Sequence, residues 1–118
     1  MKPLLSILAA LAFIAATPAV AELAKIETAS EFKTLIGGKT LTRPLIKMAV
    51  STGGAIEGQG AAWPISGSWT WKDGFFCRSL EWGGDDLGYN CMEVKASGSK
   101  IRFTADQGAG DSADFSLR

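Results

Sequence analysis

The sequence predicts an all-β protein, an antiparallel up-and-down meander of about seven or eight short strands that forms a small barrel after one short N-terminal helix. Three observations lead to this prediction. Short apolar or alternating segments recur along the chain, turn residues separate them at close spacing, and nearly all connections are too short for a crossover helix. Curling into a barrel hides the hydrophobic face and the strand edges of such a meander, with a two-sheet sandwich as the alternative.

Each predicted strand ends at a cluster of turn residues. The clearest hairpin turn is Lys72-Asp73-Gly74, because Asp-Gly tolerates the positive φ of a primed turn. The other predicted connections are Gly53-Gly54, Trp63-Pro64, Gly83 to Gly88, Ser97-Gly98 and Gln107 to Asp111. The predicted strands are Thr40–Arg43, Lys47–Thr52, Ala55–Gly60, Gly67–Trp71, Phe75–Trp82, Tyr89–Ala96, Lys100–Ala105 and Ala113–Leu117.

The helix is predicted just before the first strand. Thr28 or Ser30 can cap it, and Glu31 follows Thr28 by three residues, which is the spacing of a capping box. Gly37-Gly38 ends it. Its apolar face comprises Phe32, Leu35 and Ile36.

Residues 1–21 have the pattern of a signal peptide. Lys2 supplies a positive start, an apolar segment runs from Leu4 to Ala16, and Ala19-Val20-Ala21 offers the small residues that a signal peptidase requires. We predict cleavage after Ala21, which leaves residues 22–118 as one domain without a membrane span in the mature form. The predicted location is the periplasm or the secreted fraction.

The two cysteines, Cys77 and Cys91, are predicted to form a disulfide. An even pair in an exported protein is oxidised by default, and fourteen residues of separation differ from the spacing of a redox pair. If the strands on either side pair about a midpoint at Gly84, the two cysteines lie directly opposite one another.

Several segments resemble a family of small secreted bacterial proteins, some of which carry the label dihydrodipicolinate reductase. The resemblance covers about the last eighty residues and rests on a G-x-W-x-W…C-R…N-C pattern. Its motifs are residues 67–78, Trp82-Gly83, residues 87–91, Ile101-Arg102-Phe103-Thr104, Gly108 and Gly110-Asp111.

The reductase activity that this label implies is not supported by the residues. The nearest glycine-rich match to a dinucleotide site runs from Gly58 to Trp63, with Trp63 in place of the third glycine. Pro64 follows at once, so the motif opens no helix. An exported chain is also separated from cytoplasmic NAD(P)H, and we predict no cofactor.

Composition argues against several other functions. The chain has 12 basic and 12 acidic residues without a basic cluster, which makes nucleic acid a poor partner, and it contains no histidine. No serine lies in a nucleophile elbow. The adjacent Asp85-Asp86 pair is typical of a solvated turn. An enzyme that uses these two carboxylates together with Arg78 is a further hypothesis, ranked after the two binding functions given below. The segment Asp106–Asp114 could wrap calcium but reads better as a hairpin loop, and we predict no metal.

Aromatic residues concentrate in the middle of the domain, where packing inside a barrel is their ordinary role. The alternative prediction is that some of them line a cavity mouth together with Arg78, which alternates with Cys77 and therefore points to the side of Phe76 and Leu80. That side is either the apolar interior, where an arginine needs a partner or ligand, or the solvated exterior. The candidate ligand-binding residues are Arg78, Trp69, Trp71, Trp82 and Tyr89.

These observations predict a monomeric, non-enzymatic binding module for an unknown small molecule or envelope protein. The second hypothesis is an inhibitor or structural interaction protein that acts through a surface loop such as Trp82–Tyr89.

Overall fold

A computed structural model describes residues 22–118. The predicted signal peptide, residues 1–21, lies outside the described residues. The elements in chain order are β1 (Ala24–Lys25), α1 (Ala29–Ile36), β2 (Leu41–Arg43), β3 (Ile46–Val50), β4 (Ala55–Gly60), β5 (Trp63–Lys72), β6 (Phe75–Trp82), β7 (Asp85–Ser97), β8 (Lys100–Thr104) and β9 (Ser112–Leu117).

Strands β2 to β9 form one closed antiparallel barrel in which strands that follow one another along the chain are paired. Leu41 of β2 pairs with Leu117 of β9, which joins the last strand to the first of the barrel. The short β1 adds to β7 outside this closed set. The predicted barrel is confirmed and the sandwich alternative is wrong. A single sheet that closes on itself hides its inner face and leaves neither of its edge strands unpaired.

Alternation along each strand builds the core. On β6, for example, Phe76 is 4 % exposed, and its partners across the sheet, Trp71 and Met92, belong to the same apolar cluster. Cross-strand partners share a face of the sheet, so this register sorts inner from outer side chains around the barrel. Other members of the core are Leu41, Val50, Ile56, Ile65, Trp69, Val94, Ile101, Phe103, Phe115 and Leu117.

The helix α1 closes one end of the barrel. Thr28 is its N-cap: its Oγ1 accepts from the Glu31 amide at 3.1 Å, while Glu31 Oε1 accepts from the Thr28 amide at 3.1 Å. The predicted capping box is therefore confirmed with Thr28, not Ser30, at the cap. Phe32 and Ile36 are fully buried on the barrel side. Within residues 22–118 no helix combines the length and apolarity needed to cross a lipid bilayer.

The predicted disulfide is confirmed between β6 and β7. Cys77 and Cys91 are direct cross-strand partners with their Cα atoms 3.9 Å apart, and their sulfurs are bonded. The register predicted about Gly84 is therefore the observed one at this point of the hairpin. A bonded pair of this kind is compatible with an oxidising compartment outside the cytoplasm.

The tip of the same hairpin differs from the prediction, because the segment from Gly83 to Gly88 is not a loop. Only Gly83-Gly84 forms the turn, with φ values of 58° and 91°, and β7 starts at Asp85. Trp82 pairs with Asp85 at the tip, whereas Leu80 pairs with Gly88 further in. The difference of one residue is absorbed by a bulge at Leu87, which restores the register that the disulfide requires.

The connection predicted at Trp63-Pro64 is also wrong, since both residues belong to β5 and the turn lies at residues 61–62. Pro64 is tolerated there because it lies at the end of the strand, where the N–H that proline lacks removes little pairing. Its carbonyl still accepts a hydrogen bond from the Gly83 amide at 2.9 Å. Further along β5, Gly67 allows close approach to β6: a Cβ there would overlap the Ser79 carbonyl.

Candidate functional site

The two ends of the barrel differ in their surfaces. We call the end formed by residues 44–45, 61–62, 83–84 and 105–111 the open end, and α1 covers the opposite one. Large hydrophobic side chains reach solvent mainly at the open end, where Leu45 is 80 % exposed and Leu87 51 %. Exposed apolar groups grouped around one opening are typical of a binding surface.

An outer cavity of about 440 Å³ lies inside this opening. Its size is in the range of small-molecule sites, which are mostly apolar and concave. The side chains that line it come from several strands and two turns, so the barrel closure creates the cavity. They include Leu45, Ile46, Ile65, Leu80, Trp82 and Leu87.

An inner cavity of about 160 Å³ lies deeper in the barrel. It shares three lining residues, Met48, Leu80 and Phe115, with the outer cavity, so the two spaces adjoin across these side chains. Other lining residues of the inner cavity include Ile56, Phe76, Arg78, Met92 and Phe103. Among the described residues, neither cavity has an acidic side chain in its lining.

Trp82 forms part of the wall of the outer cavity. Its Nε1 donates to the Gly60 carbonyl at 2.9 Å, and its ring meets that of Trp63 edge-on with centroids 5.9 Å apart. A Cβ on Gly60 would lie 3.0 Å from the same Nε1, so the glycine leaves space for the indole. The predicted ligand-binding residue Trp82 is thus held at the cavity by neighbouring strands.

Arg78 lies on the inner face of the barrel, which decides between the two orientations considered from the sequence. Its Cα partners are Trp69 and Asn90, and its half-buried side chain lines the inner cavity. Nη1 donates to the Gly88 carbonyl at 3.0 Å. Burial lowers the pKa of Arg78 from its ordinary value, because the charged form loses solvation.

Arg43 is a second cation at the open end that the sequence analysis did not select. Its guanidinium carbon lies 5.6 Å from the centroid of the Phe115 ring, which lines both cavities. The cross-strand pair Arg43–Ile46 places it on the same side as Leu41. The sequence contained one signal for this position: Arg43 follows Leu41 by two residues on the same strand, so the two side chains share a face of the sheet.

Three predicted ligand-binding residues lie away from the cavities. Trp69 is 6 % exposed and donates from Nε1 to the Ser51 carbonyl at 2.8 Å, and Trp71 stacks on Phe32 with ring centroids 5.2 Å apart. Both belong to the packing beneath α1. Tyr89 is 62 % exposed on the outer face, next to the disulfide. Arg78 and Trp82 therefore line the inner and the outer cavity, respectively. Trp69, although it is the cross-strand partner of Arg78, lines neither cavity, and the same holds for Trp71 and Tyr89.

Two carboxylates of the β8–β9 hairpin accept hydrogen bonds from other side chains. Asp106 Oδ1 accepts from Asn90 Nδ2 at 2.8 Å, and Asp114 accepts from Arg102 through both of its oxygens, at 2.6 and 2.9 Å. Residues 106–108 form a tight turn in which Asp106 and Gln107 have positive φ values of 54° and 56°. In the part of the chain from 22 to 118, no three His, Cys, Asp or Glu side chains are grouped to hold a metal ion.

The Arg102–Asp114 pair gives an expected acid dependence of stability. The hydrogen bond from Arg102 lowers the pKa of Asp114 to about 2, with Lys100 adding to the effect. Since the unfolded chain binds this proton at higher pH, the stabilisation is present above about pH 4 and is lost as the pH falls towards 2. In wild-type protein the urea concentration at the midpoint of unfolding should fall between pH 4 and pH 2. In the Asp114→Asn variant this fall should be smaller.

The matched control for this measurement is Asp85→Asn. The Asp85 carboxylate forms no ion pair within residues 22–118, so the control should keep the wild-type decrease. An Asp114→Asn protein with the wild-type pH dependence would contradict the expectation.

The sequence and the fold were also compared with known proteins. No family model, curated protein or solved structure matches this chain. The resemblance to small secreted proteins remains a prediction.

Proposed function

We propose that this protein is an exported binding protein that takes an apolar small molecule into the open end of its barrel. The observation that carries the proposal is the pair of adjoining cavities behind an exposed apolar opening. A binding site of this type gains most of its affinity from desolvating apolar surface, at about 25 cal/mol for each Å² removed from water.

Export is part of the proposal and has two supports. The first is the signal-peptide pattern of residues 1–21, and the second is the bonded pair Cys77–Cys91. The motif resemblance to small secreted proteins agrees with both. The proposal also takes the protein to be a monomer, so that no second copy covers the open end.

The test uses N-phenyl-1-naphthylamine, a neutral apolar dye whose fluorescence rises in apolar surroundings. Wild-type protein should bind one dye per chain, and Leu87→Asp should weaken binding about tenfold because it replaces apolar lining by a charge at the opening. Tyr89→Asp is the matched control, since Tyr89 is on the same strand but faces outward. Absence of saturable binding, or equal loss in both variants, would contradict the proposal.

The second candidate is an interaction protein that acts through the hairpin Trp82–Tyr89. The observation favouring it is the exposure of two large side chains, Leu87 and Tyr89, which lie two residues apart on β7. In that case native mass spectrometry of the protein from its own cellular compartment should show a bound protein. The Tyr89→Asp variant should lose that partner while wild-type protein fails to bind the dye.

A further inference from the structure

The guanidinium of Arg78 has no carboxylate partner among residues 22–118. Guanidinium carries five N–H donors, and the protein acceptor found for them is the Gly88 carbonyl. The nearby Asp106 carboxylate is instead held by the amide of Asn90.

The half-buried guanidinium of Arg78 has lost part of its hydration, which lowers its pKa, and an anion that reached it would replace that lost solvation. The surroundings of Arg78 in the inner cavity are side chains such as Phe76, Met92 and Phe103, which provide no acceptor. Arg43 adds a second positive charge above Phe115 at the opening. The interior therefore favours a negatively charged guest over a neutral or positive one.

The positions and volumes of the two cavities indicate which way round a ligand would bind. Arg78 lies two residues below Leu80 on β6, and Leu80 lies two residues below Trp82 at the opening. Strand geometry therefore places the Cα atom of Arg78 about 13 Å from that of Trp82, measured along β6. The inner cavity of about 160 Å³ can take a small head group, and the apolar outer cavity of about 440 Å³ lies along the path to solvent.

We propose that the ligand is a single-chain amphiphilic anion that enters head first, pairs its oxyanion with Arg78 and lays its hydrocarbon chain in the outer cavity. This inference rests on the function proposed above and names its ligand class. A carboxylate or a phosphate monoester satisfies the same chemistry, because both offer oxygens to a forked guanidinium. Free fatty acids and single-chain phospholipid fragments are the two sources.

The first experiment uses wild-type protein alone, so that it does not depend on the folding of a variant. Decanoate, decyl phosphate, decan-1-ol and decyltrimethylammonium compete with the naphthylamine dye below their micelle concentrations. At least one of the two anions should bind ten- to a hundredfold more tightly than the alcohol, as charge-assisted hydrogen bonds do. Which anion binds better distinguishes the two sources, and the cation should bind most weakly.

A chain-length series tests the outer cavity. From hexanoate to decanoate the affinity should rise about fourfold for each methylene, because each buried methylene contributes a constant transfer free energy. The rise should stop where the chain reaches the opening.

The variant Arg78→Met keeps an unbranched apolar side chain and removes the guanidinium. It should bind the anion that wild type prefers at least tenfold more weakly than wild type does, while its affinity for decan-1-ol should stay within threefold of the wild-type value. Lys47→Met is the matched control, because Lys47 is exposed on the outside of β3, and its affinities should stay within twofold.

The outcomes separate the two proposals. If decan-1-ol binds wild type as tightly as both anions, or if Arg78→Met keeps the anion preference, the head-first anion is wrong while apolar binding stands. If wild-type protein does not bind the dye saturably, the proposed function itself is wrong.

Discussion

Replacing Phe32 with alanine is expected to lower the free energy of unfolding by about 3–5 kcal/mol, the usual cost of removing a buried phenylalanine ring. Phe32 is 0 % exposed. Its ring centroid lies 5.0 Å from that of Trp69, 5.2 Å from Trp71 and 5.1 Å from Phe76. Alanine removes these contacts and leaves a cavity between the helix and the barrel, which the rigid sheet cannot collapse to fill.

Urea unfolding followed by circular dichroism and tryptophan fluorescence measures this effect. Thr34→Ala is the matched control, because Thr34 is exposed on the same helix and its replacement should change stability by less than about 0.5 kcal/mol. A loss below about 1 kcal/mol for Phe32→Ala would mean that the helix is not part of the cooperative unit.

Removing the disulfide is expected to have the second large effect. The double variant Cys77→Ala, Cys91→Ala should be less stable by about 3 kcal/mol, the chain-entropy value for a closed loop of roughly fifteen residues. For a domain of this size the melting temperature should then fall by roughly 12–24 °C. Alanine is chosen because Cys77 is 1 % exposed and a serine hydroxyl there would be buried.

Differential scanning calorimetry with and without a reducing agent provides both the measurement and the control. Reduction should lower the melting temperature of the wild type towards that of the double variant and should leave the double variant unchanged. Equal melting temperatures for wild type and double variant would contradict a stabilising role for the bond.

Local patterns in the sequence were sufficient to predict much of the fold. Thr28 and Glu31 predicted the helix start, Asp73-Gly74 predicted a hairpin, and the opposed positions of Cys77 and Cys91 followed from counting residues. Each of these features depends on residues close in the chain or on strand alternation. The two-residue strand β1 was missed because two residues are too short to show alternation.

The errors have local physical causes as well. Glycines from residue 83 to 88 read as one loop, but a bulge at Leu87 lets β7 continue through them. Pro64 read as a break between strands, yet it is accommodated at the end of β5. Residue type shows where a strand can end in a turn, whereas pairing with a neighbouring strand decides whether it ends there.

For the candidate site, the sequence selected Arg78 and Trp82, which line the cavities, and also Trp69, Trp71 and Tyr89, which do not. It could not separate them because a tryptophan that packs under a helix and one that lines an opening have the same strand alternation. Met48, Leu80 and Phe115 were not selected, since ordinary apolar residues become cavity lining only when their strands meet.

The sequence by itself determined the all-β class, the helix cap, the order of hairpins and the cysteine pair, because these depend on backbone preferences and on a period of two along each strand. Only the tertiary structure decided that one end of the barrel stays open and that Arg78 faces inward beside a cavity whose lining, in the described part of the chain, contains no carboxylate. Empty space and missing counter-charges depend on how side chains from distant strands fill a closed barrel, and no single segment of the chain carries that information.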